Sequence, residues 1–237
     1  MTATAPSAPP APTAGRSGRR RGTRGTLAAL LMIGGVLLIL DAVLTVTWQE
    51  PVSWAYARLQ QERLDARLEE PPVLAAAERR VVARLDPRRR LAFSARAVRA
   101  ASSPGDPLGR VRMPTIGVST VFVEGTDTDS LRSGPGHYPG TPLPGARGTV
   151  AIAGHRTTYG APFRALDRLR RGHEVEVETS YGRFSYTVER IQIVAPTALW
   201  VTRRVGHDRL VLTACHPLYS AAQRIVVFAR LTGSQPR

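Results

Sequence analysis

In the stretch "LVLTACHPLYSAAQRIVVF" (residues 210–228) the chain carries its single cysteine, Cys215, nine residues before Arg224. A thiol attacks a carbonyl as the thiolate, and it needs a base or a cationic neighbour to favour that form. A fixed guanidinium can hydrogen-bond an oxyanion as it develops on the same carbonyl. The stretch reads as two strands, 208–214 and 223–231, joined by a hairpin through "HPLYSAA", so thiol and guanidinium belong on one rim. The base must come from the five histidines. His155 ends an apolar strand, 148–153, within "AIAGHRTTYGAPF", where a rigid scaffold can display a catalytic side chain on a loop. His216 adjoins the cysteine, but consecutive strand-end residues point apart; His137, His173 and His207 sit in turns. A loop histidine is more often solvated or a turn cap, so the residues alone leave the identity of the base open. One cysteine with scattered histidines, and no HxxxH or CxxC spacing, offers no metal set.

The elements that must position these groups change character along the chain. Residues 1–25 are rich in Ala, Pro, Thr, Ser, Gly and Arg without apolar periodicity and read as a disordered basic tail. Residues 26–48 contain "LAALLMIGGVLLILDAVLTVTW", about the 20 apolar residues that cross a bilayer. Five arginines and no acid precede it, which predicts a cytoplasmic N-terminus, a single pass and an exported remainder at the plasma membrane. No small-x-small cleavage pattern follows the apolar run, so it reads as an anchor rather than a cleaved signal peptide. Asp41, the one charge inside it, would cost about 2.5–3.5 kcal/mol at the bilayer centre and is expected towards the outer face or against a partner helix. Residues 49–109 read as a helical stalk, "WAYARLQQERLDARLEE" and "VLAAAERRVVARL" split by Pro71 and Pro72, followed by the linker "SSPGDPLG". From residue 110 the period becomes two. "VSTVFVEG", "GTVAIAG", "EVEVETS", "RFSYTVERIQIV", "DRLVLTA" and "QRIVVFARL" are short, β-branched and bounded by Gly, Pro or Asp, which predicts an all-β barrel or sandwich. Short helices are expected near 129–133, capped by Thr128 or Asp129, and near 163–169. The β domain is set at 110–232, with 233–237 a tail.

Composition excludes one class of function. The net charge is +15, yet all 33 basic residues are arginine, and the chain has no Lys and no Asn. The arginines are spread through every segment, without the basic face and aromatic platforms that nucleic acid requires, so no nucleic-acid partner is expected. An exported chain with one cysteine has no intrachain disulfide, so Cys215 is an inert core residue, an intermolecular link or a reactive thiol.

At this point the residues carry a resemblance. The anchor before a β domain, "AGHRTTYGAPF", and "LTACHP" with Arg224 nine residues after the cysteine resemble the sortases; "GPGHYPGT" together with "CHP" is most similar to the class E sortases of actinobacteria. The resemblance spans residues 110–232 and keeps His, Cys and Arg in the family's order. It implies a membrane-anchored cysteine transpeptidase on an eight-stranded β-barrel with short helices, working without cofactor, with Cys215, His155 and Arg224 as the catalytic three. Its partners would be exported proteins bearing a C-terminal sorting signal and the amine of a peptidoglycan precursor. Cys215 would attack the Thr–Gly bond of an LAXTG-like signal. His155 would protonate the leaving Gly amine and deprotonate the incoming one, and Arg224 would hold signal and oxyanion.

The family usually has Thr immediately before the cysteine; here that position is Ala214, with Thr213 one place earlier on the opposite strand face. The segment "APTALWVTRRVGH" lies where sortases carry the loop that grips the signal, so Leu199, Trp200 and Val201 are expected to line a slot for its Leu, unless Trp200 is a core plug. Tyr138 and Tyr159 are candidates for contacting the peptide, or for fixing their own turns. Thr213, Ala214 and His216 complete the expected substrate-binding set, and His137 and His216 are expected to support the catalytic residues. Two rivals remain. A papain-like cysteine hydrolase places its Cys at a helix start before its His, the reverse of the order here. A catalytically silent, membrane-tethered β domain that binds cell-wall polymer or a partner protein would explain Ala214, but not the intact His, Cys and Arg.

Overall fold

The computed structural model describes residues 21–48, 51–69, 80 and 82–237. Most of the predicted tail 1–25 and most of the predicted helix 73–85 therefore lie outside the described residues. The chain divides into two compact units, Met1–Thr47 and Trp48–Arg237.

In the first unit, helix α1 (Arg21–Trp48) contains a 19-residue run, Gly25–Val43, that is long and apolar enough to cross a membrane and has none of its residues buried. At 1.5 Å per residue this run spans about 28 Å, close to the hydrocarbon thickness of a bilayer. Asp41 lies in its last turn, near one end of the apolar span.

The second unit is a closed barrel of eight strands: β1 (Pro107–Met113), β2 (Val118–Glu124), β3 (Gly136–His137), β4 (Thr149–Ala153), β5 (Glu174–Thr179), β6 (Gly182–Val194), β7 (Arg209–His216) and β8 (Gln223–Pro236). Their order is β1-β2-β3-β4-β7-β8-β6-β5, closed by β5 on β1. The β2/β3 and β4/β7 pairs are parallel, the others antiparallel. Side-chain alternation sets the register. In β5, Val175, Val177 and Thr179 face inward and Glu174, Glu176 and Glu178 outward, so a one-residue slip would drive three carboxylates into the core. Strand β7 is buried on both faces, which explains its apolar run Leu210–Leu212: Leu210, Leu212 and Ala214 join the barrel core, while Val211 packs outside with Ala151, Val226, Phe228 and Val201. The cover on that outer face is the 3-10 turn Leu199–Thr202 between β6 and β7.

The first of the two helices predicted as a stalk packs on the barrel, and so does a helix at 87–101 that was not predicted. Helix α2 (Pro51–Glu69) presents Gln61, whose amide donates to the carbonyls of Val121 and Ser133 and accepts from the Val121 N–H and the Thr120 hydroxyl. Leu64 buries against Val121 and Val123 beside it. Helix α3 (Pro87–Ala101) starts from an Asp86 cap with Pro87 in its first turn, and places Leu91 and Ala95 in the barrel core. Its apolar residues recur at helical spacing, 91, 95 and 98, in the segment between the second predicted stalk helix and the linker "SSPGDPLG". Helix α4 (Thr128–Ser133) is capped by Asp127, which accepts from the Asp129 and Ser130 N–H groups, and not by Thr128 or Asp129. Of the helix predicted at 163–169, only the 3-10 turn Leu166–Arg168 forms. Residues 233–236, predicted as tail, continue β8, because the β6 ladder runs on to Gly182 opposite Pro236.

Candidate active site

Two neighbouring strands and the loop that follows a third hold the three predicted residues. In the β7/β8 hairpin, Cys215 is the direct partner of Arg224, so their Cα atoms lie about 4.5–5.5 Å apart. On the other side of β7 runs β4, parallel, with Thr149 opposite Arg209 and Ala153 opposite Thr213. The Gly154 N–H donates to the Thr213 carbonyl at 3.0 Å. His155 is thus two residues beyond the last β4 pair, and Cys215 two residues beyond the same pair on β7. Cysteine and arginine are direct neighbours on β7 and β8, and the histidine loop leaves β4 at the same end of the barrel.

Local sequence explains why the histidine is held there. A Cβ at Gly154 would lie 2.5 Å from the Phe163 ring, so only glycine lets the chain turn off β4 at that point. The Phe163 N–H closes the loop on the His155 carbonyl at 3.0 Å, and Tyr159, Gly160 and Ala161 in between all have left-handed backbones. The Tyr159 ring lies 5.1 Å from that of His155. Burial pushes the His155 pKa below the ordinary histidine value, which favours the neutral imidazole that a base needs. Cys215 is a free, half-buried thiol. Arg224 donates through Nη1 to the carbonyls of Ala221 and Gln223, both at 2.9 Å, and forms no ion pair among the described residues. No group of His, Cys, Asp or Glu able to hold a metal occurs among the described residues.

The sortase-domain family model matches residues 111–232, just over half of the chain. The chain belongs to the sortase family. Sortase D of Bacillus subtilis is 31% identical over 131 residues, which are 53% of this chain and 64% of that protein. Sortase SrtE1 of Streptomyces coelicolor is 29% identical over 150 residues, 56% of this chain and 43% of that one. The match thus spans 43% to 64% of the length of these curated relatives. Among solved structures, sortase E of Streptomyces avermitilis is similar with a TM-score of 0.52 and 34% identity, over 56% of this chain and 93% of that one. Sortase E1 of Streptomyces coelicolor, solved with a tripeptide in its active site, gives 0.54 and 28%, over 58% and 94%.

The other predicted residues of this sortase separate into groups. Thr213 lies on the same β7 face as Cys215, and its hydroxyl is 3.1 Å from that of Tyr138, which packs on the outer cluster beside Ala151 and Val201. Ala214 is 3% exposed in the barrel core, on the opposite face. Of the three residues expected in an apolar slot, Leu199 is 78% exposed, Trp200 is 37% exposed and stacks on Phe228 at 6.1 Å, and Val201 is buried beneath the turn. Trp200 is therefore partly a plug and partly free surface. His137 is fully buried, with Nδ1 donating to the Glu124 carboxylate at 2.8 Å and Nε2 facing Thr141 and the Pro142 carbonyl, so it ties β2, β3 and the loop that follows together. His216 accepts at Nδ1 from Arg156 at 2.9 Å.

Two residues escaped the sequence reading. Arg156 and Arg209 are buried guanidiniums, and in a chain whose every cation is arginine nothing in composition distinguishes them. Arg209 donates to the Thr149 hydroxyl and to the Val201 and Arg203 carbonyls, fastening the Leu199–Thr202 turn to β7. The only available signal was the position of Arg156 directly after His155.

Proposed function

We propose that this chain is a membrane-anchored cysteine transpeptidase that cleaves an LAXTG-like C-terminal sorting signal between Thr and Gly and transfers the protein to an amino group of the cell wall. The observation that carries the reading is that Cys215 on β7 pairs directly with Arg224 on β8, while His155 lies two residues past the end of β4, the strand on the other side of β7. In the first half-reaction neutral His155 takes the thiol proton as Cys215 Sγ adds to the Thr carbonyl carbon, and the Arg224 guanidinium stabilises the oxyanion. Collapse breaks the C–N bond, the proton on His155 goes to the departing Gly amine, and a thioester remains on Cys215. An incoming amine then adds to the thioester and gives a proton to His155; the thiolate departs and is reprotonated. The groove floor is formed by Thr213 and Tyr138 on the cysteine's face of the sheet, with the Leu199–Thr202 turn as one wall. The α1 run serves as anchor, and the five arginines before it keep the N-terminus in the cytoplasm and the barrel outside.

The test uses the full chain in detergent, a peptide containing LAXTG, an amine acceptor and mass detection. A Thr–amine adduct, with an acyl group trapped on Cys215, is expected from the native chain and neither product from Cys215→Ala, while melting of the variant is unchanged. Cleavage that persists in Cys215→Ala sinks the proposal.

A further inference from the structure

Arg156 is 3% exposed in a loop at the barrel rim, and it is held at three divergent points. Nε donates to the Arg164 carbonyl at 3.2 Å, Nη1 donates to His216 Nδ1 at 2.9 Å, and Nη2 pairs with the Asp167 carboxylate at 3.0 Å. Its backbone follows His155, and its His216 contact follows Cys215, so one planar group ties the residue after the base to the residue after the nucleophile. Packing does not explain it: a buried guanidinium is costly unless every direction is partnered, and a hydrocarbon side chain would fill the site without that requirement. The loop it restrains carries the left-handed residues Tyr159, Gly160 and Ala161, conformations that persist only where surrounding contacts determine them.

We propose that Arg156 is a positioning residue for the transfer reaction: through His216 and Asp167 it locks the His155 loop against the end of β7 and so sets the distance between imidazole and thiol. The proposal rests on the cysteine-transfer reading. Arginine is required because its donors form a rigid fork with several directions, whereas lysine offers a single ammonium that cannot satisfy a carbonyl, an imidazole and a carboxylate at these three points together.

The experiment uses the full chain in detergent with Arg156→Met, Arg156→Lys and Asp167→Asn. It measures kcat and KM for peptide transfer, the melting temperature, and the rate of Cys215 alkylation by iodoacetamide from pH 5 to 9. Misplacement of a catalytic group by an ångström costs about 100-fold, so Arg156→Met is expected to lower kcat by about 10- to 100-fold with KM within about threefold. The midpoint of the alkylation profile should move, because the thiol has lost its fixed relation to His155. Arg156→Lys should stay below one third of native kcat. Asp167→Asn, at a side chain 51% exposed, should fold normally and lower kcat in the same direction by about 3- to 10-fold. A folded Arg156→Met with native kcat and alkylation profile overturns the proposal, as does a fall in kcat that merely tracks the folded fraction with the profile unchanged. If Arg156→Met does not fold, Asp167→Asn decides by the same criteria. If the native chain transfers no peptide, the function is wrong; the alkylation profile needs no peptide and still decides the role of Arg156.

Discussion

Thr213 and Ala214 adjoin in sequence and lie on opposite faces of β7, so they have different jobs. The Thr213 hydroxyl meets Tyr138 on the face that carries Cys215, whereas Ala214 is packed in the barrel core. A threonine at 214 would bring a hydroxyl and a methyl into a filled, apolar site. Ala214→Thr is therefore expected to destabilise the barrel by about 1–3 kcal/mol without changing the preferred peptide. Thermal melts together with kcat/KM on LAXTG and LPXTG peptides check this; a shifted preference at unchanged stability would place the side chain in the groove after all. His155 carries a prediction in pH. Burial lowers its folded-state pKa below the ordinary 6.5, so the unfolded chain takes up the proton first as pH falls. Stability contributed by the neutral imidazole is present above 6.5 and is lost as pH falls through the lowered folded value. His155→Gln should thus show a smaller drop in melting temperature from pH 7 to pH 5 than the native chain, and an equal drop in both would exclude His155 as the cause.

At the scale of elements, the site depends on two loops that fix the ends of β4 and β7. Arg209 fastens the turn Leu199–Thr202 from below, through the Val201 and Arg203 carbonyls, and its guanidinium also lies 5.0 Å from the Phe228 ring on which Trp200 stacks. Arg209→Met leaves those carbonyls unpaired, at a cost of about 1–3 kcal/mol, and frees the turn. Because Arg209 is at the far end of β7 from Cys215, the expected kinetic signature is a raised peptide KM at nearly constant kcat; a fall in kcat alone would mean that the turn does not grip substrate. The strands on which this rests were legible wherever a pleated surface is half-buried, as in "EVEVETS", because alternation survives in composition. Strand β1 was not, since "DPLG" at its start carries turn residues; β3 is two residues long and exists only through its neighbours' pairing. Helix α3 was obscured by arginines on its solvent face. Cys215 and Arg224 could be placed together from the hairpin alone, whereas His155 stayed one candidate among five histidines until the family resemblance singled it out. What three-dimensional packing adds is which arginines are buried, a property with no local sequence correlate.

For the whole molecule, helices α2 and α3 belong to the stability of the barrel. Leu64 of α2 covers Val121 and Val123, Leu91 of α3 sits in the main core against Phe184 and the glycines 145 and 182, and Gln61 satisfies both backbone groups of Val121. A fragment beginning at residue 105 retains every strand and all of Cys215, His155 and Arg224, but it exposes these surfaces. Burial of Leu64 and Leu91 alone is worth about 3–6 kcal/mol, a large part of the stability of an ordinary domain. Helix α2 also touches the loop after β4: the Tyr56 ring meets that of Tyr159 at 6.4 Å, and Tyr159 in turn lies against His155. A fragment beginning at residue 51 should therefore melt well above one beginning at 105 and also have the higher kcat, with the activity difference persisting at temperatures where both are folded. Equal melting would show that the helices are only carried by the barrel. Unequal melting with equal kcat would confine α2 to a structural role and remove the Tyr56–Tyr159 contact from the set that positions His155.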